Sequence, residues 1–217
     1  MSEITGELLA DRAKAGGLWH QVPDSLVIWD QRAFDALVSQ DPTSGLHHFA
    51  DQMAHHWPGI AMLVGVLLAL GAIKTRNGTT TKALLWELVG FLIILGVGNM
   101  LSDELKALFA RLKPHISHDI PGVKQPLSFP SNHSFNTATI LGFWLVNLRH
   151  LPSRSVRNAS IALLTLVWAF TAWTRVYLGE HFPLDVIAGF IFGFAYGAYG
   201  AWLLSRVLLA MGKHAKQ

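Results

Sequence analysis

The chain contains no cysteine, which excludes disulfide frameworks, zinc–thiolate sites and thiol nucleophiles. Charge is scarce as well: Asp, Glu, Lys and Arg make up 14% of the 217 residues, against roughly a quarter in soluble domains. With 51% apolar residues, that scarcity speaks against disorder and against an ordinary soluble enzyme. No basic stretch leads into an apolar core at the N-terminus, so no cleavable signal peptide is predicted. Basic residues number 17 and acidic ones 14. Nucleic-acid binding would need that excess on one soluble face, whereas it sits at the ends of apolar runs. No nucleic-acid partner is expected.

Residues 1–56 hold no run near the roughly 18–20 apolar residues that a spanning helix requires. Within them, residues 25–38 mix Leu26, Val27, Ile28, Trp29, Phe34 and Leu37 with charges, the pattern of a helix lying on a surface such as the bilayer interface. Beyond residue 56 the character changes. Apolar runs cover 57–73, 83–101, 134–148, 158–174 and 186–205, the third being the shortest. The fold class expected is all-α: a multi-pass transmembrane bundle of about five spans over 57–217, preceded by an amphipathic segment over 1–56. Gly189, Gly193 and Gly197, four residues apart, predict close helix packing in the last span.

The loops set the expected orientation. Lys74, Arg76 and Lys82, then Arg149, Arg154 and Arg157, then Arg206, Lys213 and Lys216 fall on one face if five helices alternate, with no acidic residue among them. Basic loops stay in the cytoplasm, so the other face is extracytoplasmic, in an inner membrane, and residues 1–56 lie there too.

Three segments on that outer face carry unusual chemistry. Lys106 and Lys113 are seven residues apart, two turns of a helix that Pro114 would halt; snorkelling at an interface is the plainer account of this pair alone. The stretch Ser128-Phe129-Pro130-Ser131-Asn132-His133-Ser134 places a hydroxyl and free backbone N–H groups at a helix start, suited to phosphate oxygens, with His133 placed to protonate a leaving group. In the third, His181 and Asp185 are four apart, so the carboxylate holds one imidazole nitrogen and leaves the other free to attack. Arg175 in the same segment offers a planar grip on phosphate.

Together these segments resemble the type 2 phosphatidic acid phosphatase superfamily: Lys-x6-Arg-Pro, then Pro-Ser-Gly-His, then Ser-Arg-x5-His-x3-Asp. The resemblance covers roughly residues 57–205. Lys113 stands for the Arg of the first block, Asn132 for the Gly of the second and Thr174 for the Ser of the third, with Arg111 near enough to share the first block's work. The resemblance implies His181 as a nucleophile forming a phosphohistidine, Asp185 orienting it and His133 as general acid. Lys106, Lys113, Ser131, Asn132 and Arg175 would hold the phosphoryl oxygens. No metal and no cofactor is implied, since cationic side chains meet the charge; the pairs His47-His48 and His55-His56, and His115 with His118, lack supporting carboxylates for a metal site.

The expected function is therefore a membrane phosphatase acting on a lipid phosphate or pyrophosphate, with the bilayer as surroundings. Candidate substrates are undecaprenyl pyrophosphate, phosphatidylglycerol phosphate, phosphatidic acid and lipid A 1-phosphate. A lipid-to-lipid phosphotransferase would use the same residues. A vanadate haloperoxidase shares the blocks but is soluble, and a non-catalytic membrane binder would show a degenerate site, whereas both histidines, Asp185, Arg175 and Lys106 are present.

Overall fold

The computed structural model describes residues 17–54, 59, 81–114, 127–148 and 153–214, most of them helical. A short 3-10 turn (Gly17–Gln21) precedes α1 (Asp24–Leu37), and residues 45–54 are helical in turn. The bundle proper is α2 (Thr81–Phe109), α3 (Asn132–Leu148), α4 (Arg154–Tyr177) and α5 (Pro183–His214). Among the described residues, three stretches are long and apolar enough to cross a membrane: Leu85–Phe109, Arg154–Tyr177 and Pro183–Ala210. They correspond to the second, fourth and fifth predicted spans. The third became α3, whose 17 residues are fewer than a span usually takes. The first predicted span, 57–73, lies outside the described residues except for residue 59.

Helix α3 is the axis of the bundle. From Ser134 to Trp144 every residue except Asn136 is buried, so its hydroxyls need internal partners. Thr137 donates to the His133 carbonyl at 2.8 Å and Thr139 to that of Phe135 at 2.9 Å. α5 packs directly on it through the glycine stripe. A Cβ on Gly193 would strike the Phe135 carbonyl oxygen, one on Gly197 that of Thr139, and one on Gly189 that of Ser131. Small residues thus let the two backbones touch, as the four-residue spacing predicts. Phe91, Phe143, Trp144, Leu148 and Leu164 fill the core between α2, α3 and α4.

The amphipathic helix forms as its sequence suggests. Val27, Asp30 and Phe34, three and four residues apart, face inward, while Leu26, Trp29 and Leu37 stay exposed. Phe34 packs with Val176 and Val186, and Val27 with Trp19 and Phe129. The Ser39 N–H donates to the Tyr177 carbonyl at 2.8 Å, tying the end of α1 to the end of α4.

One local expectation fails. The helix does not continue through Lys113. Ala110 takes a left-handed conformation (φ 52°), its N–H closing on the Lys106 carbonyl, and α2 stops at Phe109. Beyond it the chain runs extended: Leu112 bridges antiparallel to Leu127, and Ser128 N–H donates to the Arg111 carbonyl at 2.7 Å. The first two motif segments are thereby stitched together. The stop lets Arg111 turn inward to two buried carboxylates, a pull that periodicity alone does not register.

Candidate active site

The motif residues converge where α2 ends, α3 and α5 begin and α4 turns into α5. That turn is built by the chain folding back on Arg175, whose carbonyl accepts from the N–H groups of Glu180 (3.0 Å) and His181 (3.1 Å). Gly179 at φ 74° allows the reversal. Pro183 then opens α5, which puts Asp185 in its first turn. The Ser131 N–H donates to the Asp185 carbonyl at 3.0 Å, and Ser134 Oγ to that of Val186 at 2.7 Å, locking the start of α3 to the start of α5.

His181 and Asp185 are both buried, with His181 Nδ1 3.5 Å from Asp185 Oδ2. The carboxylate is fully engaged: Ser128 Oγ and the Phe182 N–H donate to Oδ2, and Arg111 Nη1 donates to Oδ1 at 2.6 Å. Ser128 Oγ also lies 3.4 Å from His181 Nδ1. Burial pushes the His181 imidazole below its ordinary range, opposed by the Asp185 carboxylate. A neutral ring held at Nδ1 leaves the Nε2 lone pair free. His133 is held down to about 4, chiefly by burial and then by the positive charge of Arg175 and by His181.

Arg175 carries the clearest signal. Its Nη1 donates to Glu180 at 2.9 Å, while Nε and Nη2, both buried, find no partner among the described residues. Those two nitrogens form the side-on fork of a guanidinium, the edge that grips two oxygens of a phosphate. Ser131 Oγ is likewise buried and unpaired. Such groups cost free energy when left dry, and contact with an anion would satisfy them.

The other cations are looser. Lys106 lies 4.0 Å from Asp103, and Lys113 lies 4.0 Å from Glu180, which thus faces both Lys113 and Arg175. Asn132 turns its amide to α2, accepting from Ser102 Oγ at 2.5 Å and donating to Asp103 at 3.0 Å, so any contact with an anion falls to its backbone N–H. Arg111 does not share the first block's work. It is buried between the rings of Trp19 (4.0 Å) and Phe182 (3.8 Å), with both ends of its fork spent on Asp185 and on Asp30 at 2.5 Å. Among the described residues no three His, Asp or Glu side chains gather as a metal site; His55, His56, His115 and His118 lie outside them.

Sequence reasoning assigned no role to Asp30, Ser128 or Glu180. Asp30 had a signal: a carboxylate on the inward stripe of an amphipathic helix, between Val27 and Phe34, needs a buried cation.

Similarities to known proteins fit this geometry. Phosphatidylglycerophosphatase B of Bacillus subtilis is 32% identical over 112 residues, half of this chain and 53% of its own length. The alignment thus spans only about half of that relative. Lipid A 4'-phosphatase of Bacteroides thetaiotaomicron is 28% identical over 171 residues, 74% of this chain and 71% of its own. The crystal structure of a transmembrane PAP2 type phosphatidylglycerolphosphate phosphatase from Bacillus subtilis superposes with a TM-score of 0.60 at 22% identity, covering 94% of this chain and 92% of that one. Aquifex aeolicus LpxE gives 0.51 at 22% identity, over 80% and 93%. The sequence pattern of the PAP2 superfamily matches residues 87–208, more than half of the chain and the part that holds all three motif segments. The chain belongs to the PAP2 superfamily.

Proposed function

We propose that the protein is an integral-membrane phosphatase that removes the terminal phosphate of a lipid phosphate or pyrophosphate at the outer face of the inner membrane. The observation that carries this reading is the open fork of Arg175, with Ser131 Oγ, beside a histidine whose other nitrogen is held by a buried carboxylate. Phosphoryl transfer asks mainly for positioning and for stabilisation of negative charge, and Arg175, Lys106 and Lys113 supply the latter.

In the proposed reaction, Nε2 of His181 attacks phosphorus while the bond to the lipid oxygen breaks. His133 gives that oxygen its proton, and the Nδ1–H of His181 stays on Asp185. Water then attacks the phosphohistidine; His133 takes the water's proton, and phosphate leaves as His181 is restored. With its pKa held down to about 4, His133 is neutral at pH 7, so the substrate dianion must raise its proton affinity on arrival. The substrate thus brings its own general acid into the working state.

Membrane placement favours an amphiphilic substrate, and the relatives' names, a phosphatidylglycerophosphatase and a lipid A phosphatase, are both lipid phosphatases. Undecaprenyl pyrophosphate, phosphatidylglycerol phosphate, phosphatidic acid and lipid A 1-phosphate form the panel to assay. Purified protein in detergent is expected to release inorganic phosphate from at least one of them, and His181→Ala from none. Release unaffected by His181→Ala would remove the phosphohistidine; transfer of label to a second lipid without free phosphate would make the protein a phosphotransferase.

A further inference from the structure

Arg111 is the most heavily engaged side chain near the site, yet it has no direction left in which to meet phosphate. One end of its guanidinium holds Asp185 Oδ1 and the other Asp30 Oδ2, while Trp19 and Phe182 cover its two faces. Asp30 and Asp185 are both fully buried, and this one guanidinium is the ion-pair partner that they share. Asp30 reaches the same place by a second route. Its Oδ1 accepts from the Leu184 N–H at 2.7 Å, capping the first turn of α5, where Asp185 sits. A helix 81 residues upstream of Arg111 in sequence thus fixes both the position and the charge of the group that holds His181.

We propose that Asp30, through Arg111, positions the Asp185–His181 pair and sets its charge, so that the N-terminal helix is a working part of the phosphoryl-transfer site. The carboxylate of a His–carboxylate pair fixes the ring tautomer and stabilises the cation that develops on it. How far Asp185 does so depends on how much of its charge Arg111 claims. Asp30 claims the other half of the guanidinium and leaves Asp185 more basic. Neither Asp30 nor Arg111 touches substrate; both are positioning residues. The importance of that role rests on the phosphatase reading above, but its test does not need a substrate.

The test is titration of His181 in the full-length protein in micelles, by NMR on 15N-histidine, with its signal identified by loss in His181→Ala. Lys106, Lys113 and His133 also act on the His181 ring, and Arg175 and Glu180 adjoin it in the turn; all are left in place. Asp30→Asn keeps an acceptor for Leu184 but gives Arg111 wholly to Asp185, so the His181 midpoint should fall by about half a unit or more. The double variant Asp30→Asn with Arg111→Met leaves only one buried carboxylate uncompensated rather than two, and removes the nearer cation; the midpoint should rise. Val27→Ala loosens the same helix without altering a charge and should leave it in place. Opposite shifts in the two charge variants are what a merely structural role does not produce. Unmoved midpoints in both, with only a loss of thermal stability, would overturn the proposal. Should the shifts appear while the wild-type protein hydrolyses none of the lipid panel, the coupling stands and the phosphatase reading fails instead.

Discussion

Two residues in the site look alike in a simple knockout and differ in what they do. His181 is proposed to attack phosphorus, so its removal ends the covalent route for any substrate. His133 is proposed to protonate the departing oxygen, which matters only for a poor leaving group; general acid help is worth on the order of 10²- to 10⁴-fold. His133→Ala should lose most activity on phosphatidic acid and keep a far larger fraction on p-nitrophenyl phosphate, while His181→Ala is inactive on both. Equal losses for His133→Ala on the two substrates would assign it to binding instead. Lys113 poses a sharper question now that Arg111 is committed to Asp30 and Asp185. With Arg111 unable to stand in for it, Lys113→Ala should lower kcat/KM about 10- to 100-fold, or roughly 1.4–2.8 kcal/mol. Lys113→Arg should be tolerated. An Ala variant as active as wild type would mean that Lys113 serves only its contact with Glu180, 4.0 Å away.

Among elements, the contact between α3 and α5 matters most, because it joins His133 in the first turn of α3, and Ser131 just before it, to Asp185 in the first turn of α5. The glycines allow it. Gly193→Ala would force a methyl into the Phe135 carbonyl, and overpacking of this kind costs about 1–3 kcal/mol. Denaturation in micelles should show that loss, with a fall in kcat as the two helix starts part; full stability in Gly193→Ala would mean that the helices have room to slide. This seam was legible from the four-residue spacing, as were α1, α4 and α5 from their apolar patterns. The bend at Ala110 was not. Lys106 to Lys113 reads as unbroken helix, and only the long-range pull on Arg111 from Asp30 and Asp185 explains why it ends. Likewise Arg175, His181 and Asp185 stood out by spacing, whereas Glu180 and Ser128 gain meaning only when four chain segments meet.

At the scale of the whole molecule, charge and apolar surface divide the protein into two ends and a belt. Leu92, Ile93, Leu166, Ile191, Leu203 and Leu209 are exposed along the three long helices, a surface that suits lipid and not water. The site lies at the end where α2 and α4 finish and α5 starts. At the opposite end lie Arg154 and Arg157, which begin α4, and Arg206 in the last turns of α5. Basic residues near the ends of spans stay on the cytoplasmic side, so the site should open outward. The absence of native cysteine makes this directly measurable. Thr43→Cys lies in the turn after α1, which Ser39 ties to the site end of α4, and Ser153→Cys lies just before α4 at the far end. An impermeant maleimide applied to intact cells should label Thr43→Cys, and Ser153→Cys only after permeabilisation. The reverse pattern would turn the protein over, and with it the leaflet whose lipids can reach Arg175 and His181.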